Sequence, residues 1–202
     1  MPDRLARYLD VIEHDVLPLT RERVARGNKL FGAAILRRED LAVVVAETNN
    51  EIENPLWHGE IHAIKRFHEI PASHRPDPKD CYFLATHEPC SLCLSGITWS
   101  GFDEFGYLFS HQDSADSFAI PHDIAILKAV YAVPDPDRSS AAPHRDLYNR
   151  TNAYFSSHDL AAEITATGDP LLLERLHALG ATYAEVSTIY QANKGDAGIP
   201  LA

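Results

Sequence analysis

His58-Gly59-Glu60, followed about thirty residues later by Pro89-Cys90-Ser91-Leu92-Cys93, decides how the rest of the chain is read. One histidine and two cysteines spaced C-x-x-C are ligand types that suit Zn²⁺, and three of them leave its fourth tetrahedral position open. Such an ion makes bound water a nucleophile near neutral pH. Glu60, two residues after the histidine, stands where it can move that water's protons. A C-x-x-C alone equally describes a redox dithiol or half of a structural zinc site. A closed structural site needs a fourth ligand, for which His62 and His87 are the candidates. Either alternative leaves Glu60 without a purpose. The open reading is therefore expected, with His58, Cys90 and Cys93 as metal ligands, Glu60 as the catalytic acid–base and Zn²⁺ as cofactor.

Working outward, residues 3–26 show apolar positions at helical spacing (Leu5, Tyr8, Leu9, Ile12, Val16, Leu19), with a kink or split expected at Pro18. Phe31 to Leu36 and Leu41 to Ala46 are short apolar runs joined by Arg37-Arg38-Glu39-Asp40, a hairpin pattern. A loop runs from Asn49 to Pro55. His58 to His68 reads as a helix, Cys81 to Thr86 as a strand, Cys90 to Trp99 as a helix and Phe105 to Phe109 as a strand. Ile120 to Tyr131 reads as helical, or helical then extended. The Pro-rich stretch from Pro134 to Pro143 marks the expected end of the core, and two or three helices follow over 146–192. Asp169-Pro170 is an expected helix start and Gly180 an expected break.

This order predicts a three-layer α/β/α sandwich around a mixed, about five-stranded sheet, plus a helical C-terminal extension. Residues 1–140 are expected to be the zinc-dependent domain, and 141–202 an extension packed on the core or on a partner subunit. His58 and the two cysteines would open two helices whose positive ends meet at the metal.

Bulk properties narrow the function classes. The 202 residues, 45% of them hydrophobic, suffice for a full core, and the formal net charge is −11. No Lys/Arg run exceeds Arg37-Arg38, which disfavours a nucleic-acid partner and favours a small neutral ligand. No unbroken apolar window is long enough for a membrane helix, and Met1-Pro2-Asp3-Arg4 lacks a secretory layout. Three cysteines, two of them in the C-x-x-C, argue against a disulfide framework and for a reducing, cytoplasmic setting. Cys81, in an apolar strand, is expected to be a buried small hydrophobe.

The H-x-E…P-C-x-x-C pattern is the signature of zinc deaminases, and at these residues the chain resembles the cytidine deaminase-like superfamily. The resemblance runs from about Asn28 to Tyr131 and is nearest to the nucleobase deaminase branch: guanine deaminase, cytosine deaminase and the tRNA adenosine deaminases. Phe31-Gly32-Ala33-Ala34-Ile35 looks like that branch's opening strand. Glu88 to Trp99 is similar to the cysteine helix of the guanine deaminase group, and Asp113 to Phe118 faintly to its segment after the fourth strand. The resemblance implies a homodimer and hydrolytic deamination of a small aminated heterocycle, guanine first. A tRNA adenosine deaminase or a cytosine-type enzyme is the alternative, and a zinc-stabilised binding module the non-enzymatic one. It further implies that Asn49 (or Asn50) binds the substrate. Phe31, Gly59, Trp57 and Trp99 are the other candidate pocket residues. The chain departs from the usual pattern at Leu56-Trp57-His58-Gly59-Glu60, where Trp and Gly replace smaller and larger neighbours of the histidine, and this implies a reshaped pocket.

Overall fold

The computed structural model describes residues 2–122, 125–126, 150–194 and 199. The N-terminal segment forms α1 (Pro2–Val11), one π-helical turn (Ile12–Val16) and α2 (Leu17–Val24). The interruption expected at Pro18 takes this form because proline has no N–H and its ring collides with the carbonyl four residues back. Widening the preceding turn relieves the collision and leaves Pro18 in the first turn of α2.

Five strands follow: β1 (Gly32–Arg37), β2 (Val43–Thr48), β3 (Cys81–His87), β4 (Glu104–Phe109) and β5 (Ser156–Asp159). They are ordered β2-β1-β3-β4-β5. β1 pairs antiparallel with β2 and β3, whereas β3–β4 and β4–β5 are parallel. The hairpin lies where expected, but β2 starts two residues late. Leu41 adopts a left-handed φ of 55° and so belongs to the turn.

Both faces of the sheet are covered, which is why β3 is buried throughout. Alternate residues Ala33, Ile35, Phe83, Ala85 and Phe105 pack on α3 (Gly59–Glu69) and α4 (Ser91–Trp99), through Ala63, Phe67 and Ile97. The other alternation, Ala34, Leu36, Tyr82 and Leu84, packs on Leu9, Val16, Leu160 and Tyr183. Leu160 opens α6 (Leu160–Thr167) and Tyr183 lies on α7 (Pro170–Asn193). The short α5 (His111–Asp116) follows β4 and starts with a reciprocal Ser110–Asp113 cap. This is the expected three-layer α/β/α sandwich.

Two expectations need correction. The segment after residue 141 is not helical throughout: β5 precedes its helices and completes the sheet by pairing Glu104 with Ser156 through Tyr107 with Asp159. Its sequence, Ser-Ser-His-Asp, is polar because it forms a half-buried edge, and so it carries no apolar strand pattern. Gly180 does not break α7. The helix continues past it because Leu172, Leu179, Tyr183, Val186 and Tyr190 bury one face, which outweighs a glycine cost of about 1 kcal/mol. The break falls at Gly168, which caps α6 with a left-handed φ of 65°. Asp169 caps α7 as expected, accepting the N–H groups of Leu171 and Leu172. Most of the element expected over Ile120 to Tyr131, and all of Pro134 to Pro143, lie outside the described residues. No described helix is long and apolar enough to cross a membrane.

Candidate metal centre and active-site cavity

β3 ends at His87, and Pro89-Cys90 turn the chain straight into α4. α3 begins at the end of the loop that follows β2. Cys90 and His58 are the N-caps of these two helices, in extended conformation with ψ of 173° and 158°. Two helix starts thus meet beyond the carboxyl end of β3. Gly59 makes the approach possible, because a Cβ there would lie 2.7 Å from both the Phe31 carbonyl oxygen and the Gly32 Cα. Asn49 ties the loop to the helix, its side-chain oxygen accepting the Gly59 N–H at 2.6 Å.

The result is a cluster. His58 Nδ1 lies 3.5 Å from Cys90 Sγ and 3.7 Å from Cys93 Sγ. With Zn–S near about 2.3 Å and Zn–N near about 2.0 Å, a tetrahedral ion separates nitrogen from sulfur by about 3.5–3.6 Å. The donor set and its spacing therefore fit Zn²⁺. Among the described residues the cluster holds these three ligands and no fourth. His62 is turned away, with Nδ1 at 3.0 Å from the Thr48 carbonyl and 3.1 Å from Glu47. His87 is wholly buried among Phe31, Phe109, Phe118 and Tyr183, with Nδ1 on Thr86 Oγ1 at 2.9 Å. Glu60 is buried beside the cluster, where it accepts the Cys93 thiol at 3.3 Å.

Electrostatics follow from this packing. The Cys93 hydrogen bond, then His58, draws Cys90 down to about 4 against the cost of burial. Burial and the charges of Glu60 and Cys90 push Cys93 well up. Burial alone would lower His58, but Cys90, as hydrogen-bond partner and charge, takes it up to about 9. Burial, then the Cys90 charge, raises Glu60 to about 7. At neutral pH the metal-free cluster thus keeps one proton on Cys93 and one on the His58 ring, and a divalent ion held by all three residues would displace both.

A cavity of about 280 Å³ opens onto His58 and Cys90, walled by Phe31, Leu56 and Leu92 among others. Residues 12–109, which contain all of the cluster, match the family model described as the cytidine and deoxycytidylate deaminase zinc-binding region. Over these residues, just under half of the chain, the match is to the cytidine deaminase-like superfamily. The chain is a hydrolytic deaminase, and Zn²⁺ is its cofactor. Among solved structures it is similar to guanine deaminase from Bacillus subtilis, at 22% identity and a TM-score of 0.48 over 69% of this chain and 94% of that one. It is also similar to guanine deaminase from Nitrosomonas europaea, at 18% identity and a TM-score of 0.46 over 80% and 81%. A structure from a study of tRNA:A34 deaminases matches at 23% identity and a TM-score of 0.41 over 47% and 67%. No curated protein matches the chain.

Within this cytidine deaminase-like frame the other expected pocket residues divide. Phe31 lines the cavity. Asn49 is fully buried and not among the described lining; its amide is spent on Gly59 and, at 2.9 Å, on Glu51. Asn50 donates to Glu53 instead, at 2.6 Å. Gly59 packs under β1. Trp57 stacks on His62 at 5.7 Å with Lys65 over its ring, so it packs away from the cavity. Trp99 is 90% exposed at the far end of α4, two helical turns from the cysteines, and forms no part of the wall. Cys81 is buried as expected.

Sequence reading missed Lys29 and Glu51, which line the cavity as an ion pair of 2.8 Å. A weak signal was present: Lys29 precedes Phe31 by two, and Glu51 follows Asn49 by two, so in extended chain each shares a side with an expected pocket residue.

Proposed function

We propose that the protein deaminates a free amino-substituted nucleobase, guanine foremost, with release of ammonia. The observation that carries this reading is the buried Glu60 carboxyl against the His58–Cys90–Cys93 cluster, of which His58 and Cys90 line a cavity sized for one small heterocycle. Guanine comes first because the Glu88–Trp99 sequence resembles the cysteine helix of the guanine deaminase group.

His58 Nδ1 and the sulfurs of Cys90 and Cys93 would hold Zn²⁺. When bound, the ion supplies a Lewis acid that brings a ligating water's pKa down to near neutrality. Glu60 takes one proton of the attacking water on a carboxylate oxygen and passes it to a ring nitrogen of the substrate; it then takes the second, from the hydroxyl now on the attacked carbon, and delivers it to the departing amine, so that ammonia leaves and a carbonyl remains. Its burial suits both roles, since a carboxyl held toward neutrality gives and accepts protons with similar ease. Phe31 offers an apolar face to the ring, and Asn49 positions the start of α3 and with it His58 and Glu60. In this reading residues 1–140 carry the chemistry and 141–202 pack on the core or on a partner subunit, and the protein works in the cytoplasm as a homodimer.

The test is ammonia release from a panel of aminated bases and nucleosides, with transfer RNA as a further arm. Guanine should be turned over, and Glu60→Ala should keep its zinc while losing at least about 10³-fold in kcat. A panel without turnover, or an active Glu60→Ala, removes the proposal.

A further inference from the structure

Lys29 and Glu51 are charged groups in a wall that is otherwise largely apolar. Their side chains are 7% and 1% exposed, and both line the cavity beside Phe31, Leu56, Leu92 and Ile120. Burying such a pair costs several kcal/mol of desolvation, which attraction offsets only with good geometry and added hydrogen bonds. Glu51 has them. Its Oε2 accepts the backbone N–H of Lys29 at 3.1 Å and Asn49 Nδ2 at 2.9 Å, while Oε1 accepts Lys29 Nζ at 2.8 Å. The carboxylate is therefore rigidly held, with lone-pair capacity left on Oε1, which lies 3.9 Å from His58 Nε2. Lys29 is less complete. Glu51 takes one of its three ammonium donors, and among the described residues the other two have no protein partner.

The pair offers an incoming ring a donor and an acceptor side by side, and the complementary edge is a lactam, –NH–C(=O)–. We propose that Lys29 and Glu51 read the lactam edge of the substrate, Lys29 donating to the carbonyl oxygen and Glu51 accepting the ring N–H. The pair adjoins His58, so the lactam must lie next to the carbon that loses its amine. That describes a 2-amino-4-oxo pyrimidine ring, as in guanine and pterins. Cytosine carries its lactam away from its amino carbon. Adenine would set an unprotonated ring nitrogen against Glu51 and nothing against Lys29, leaving two buried charges poorly paired. This assignment deepens the base-deaminase reading and rests on it for the identity of the cavity.

Hypoxanthine and purine differ in this lactam alone, and neither has an amine to lose. Calorimetric titration of each into zinc-loaded protein is therefore independent of turnover. The wild type should bind hypoxanthine at least about 100-fold more tightly than purine. The double variant Lys29→Met/Glu51→Leu removes both charges together, so neither is left buried alone. It should keep its zinc and its circular dichroism spectrum and bring the ratio to within about 3-fold. Equal binding by the wild type, binding of neither ligand, or a folded double variant that still prefers hypoxanthine each overturns the assignment. Hypoxanthine preference in a protein that releases no ammonia from guanine would remove the substrate reading and keep the lactam site. Guanine turnover without lactam preference would do the reverse.

Discussion

Gly59 sits so close to Phe31 that a methyl group on its Cα would stand 2.7 Å from the Phe31 carbonyl oxygen. The contact is to backbone, so no side-chain rotation can relieve it. Gly59 also separates the zinc ligand His58 from Glu60. Gly59→Ala should therefore push the start of α3 off β1 and move both functional side chains together. We expect a loss of about 1–3 kcal/mol in stability and at least a 10-fold fall in kcat, on the order of one misplaced catalytic contact. Thermal melting and steady-state kinetics on zinc-loaded protein check it; an unchanged kcat would show that the approach of α3 to β1 does not position Glu60.

The cluster joins the first turns of two helices, so the ion should hold the tertiary structure as well as serve the reaction. Chelation at neutral pH, or Cys90→Ala, should remove zinc and lower the melting temperature. At a free-metal level near 1,000 times its dissociation constant, binding contributes about 4 kcal/mol, which for a chain of this size is about 10 °C. Metal content by elemental analysis and melting with and without chelator measure both. A chelated protein that melts with the holo form would show that the two helix starts are held by packing alone.

Burial takes His87 down to about 3, with nearby His111 adding to the effect. In the unfolded chain its imidazole titrates near 6.5. The folded state therefore binds fewer protons than the unfolded state between these values. The neutral form's full contribution is present above about 6.5, and stability is lost as pH falls toward 3, by at most about 5 kcal/mol from this residue. His87→Phe keeps an aromatic ring among Phe31, Phe109 and Phe118 and should flatten the slope of unfolding free energy against pH over that window. Denaturant titrations at several pH values will show whether the slopes of variant and wild type differ. His111, also lowered by burial, should leave a residual slope.

Gly180 lies within α7, and a Cβ there meets nothing within 4 Å. Gly180→Ala should stabilise the protein by about 0.5–1 kcal/mol through helix propensity, raising the melting temperature by about 1–4 °C. A lower melting temperature would place a close contact on that face of α7 in solution.

The readings that succeeded rest on short-range rules. His58 and Cys90 were legible as helix starts because an extended residue before an apolar helical repeat is a local pattern, and both prove to be N-caps. β3 was legible because a strand buried on two faces must be apolar throughout. The failures have equally definite causes. β5 is a half-buried polar edge with no periodicity to see. Trp99 follows the cysteines by helical arithmetic, yet α4 is nine residues long and carries it out of the cavity's reach.

The order of residues alone determined which atoms could bind a metal, because ligand chemistry belongs to side chains and the C-x-x-C and H-x-E spacings are satisfied within single helical turns. It also determined the alternation that buries both faces of the sheet. Only the folded chain decided what stands opposite the metal. Lys29 and Glu51 come from separate loops, 22 residues apart, and meet because β1 and β2 pair and bring the segments before and after them to one edge of the cavity. Such a pairing depends on contacts across the sheet, and no window of sequence contains both partners and the reason they touch.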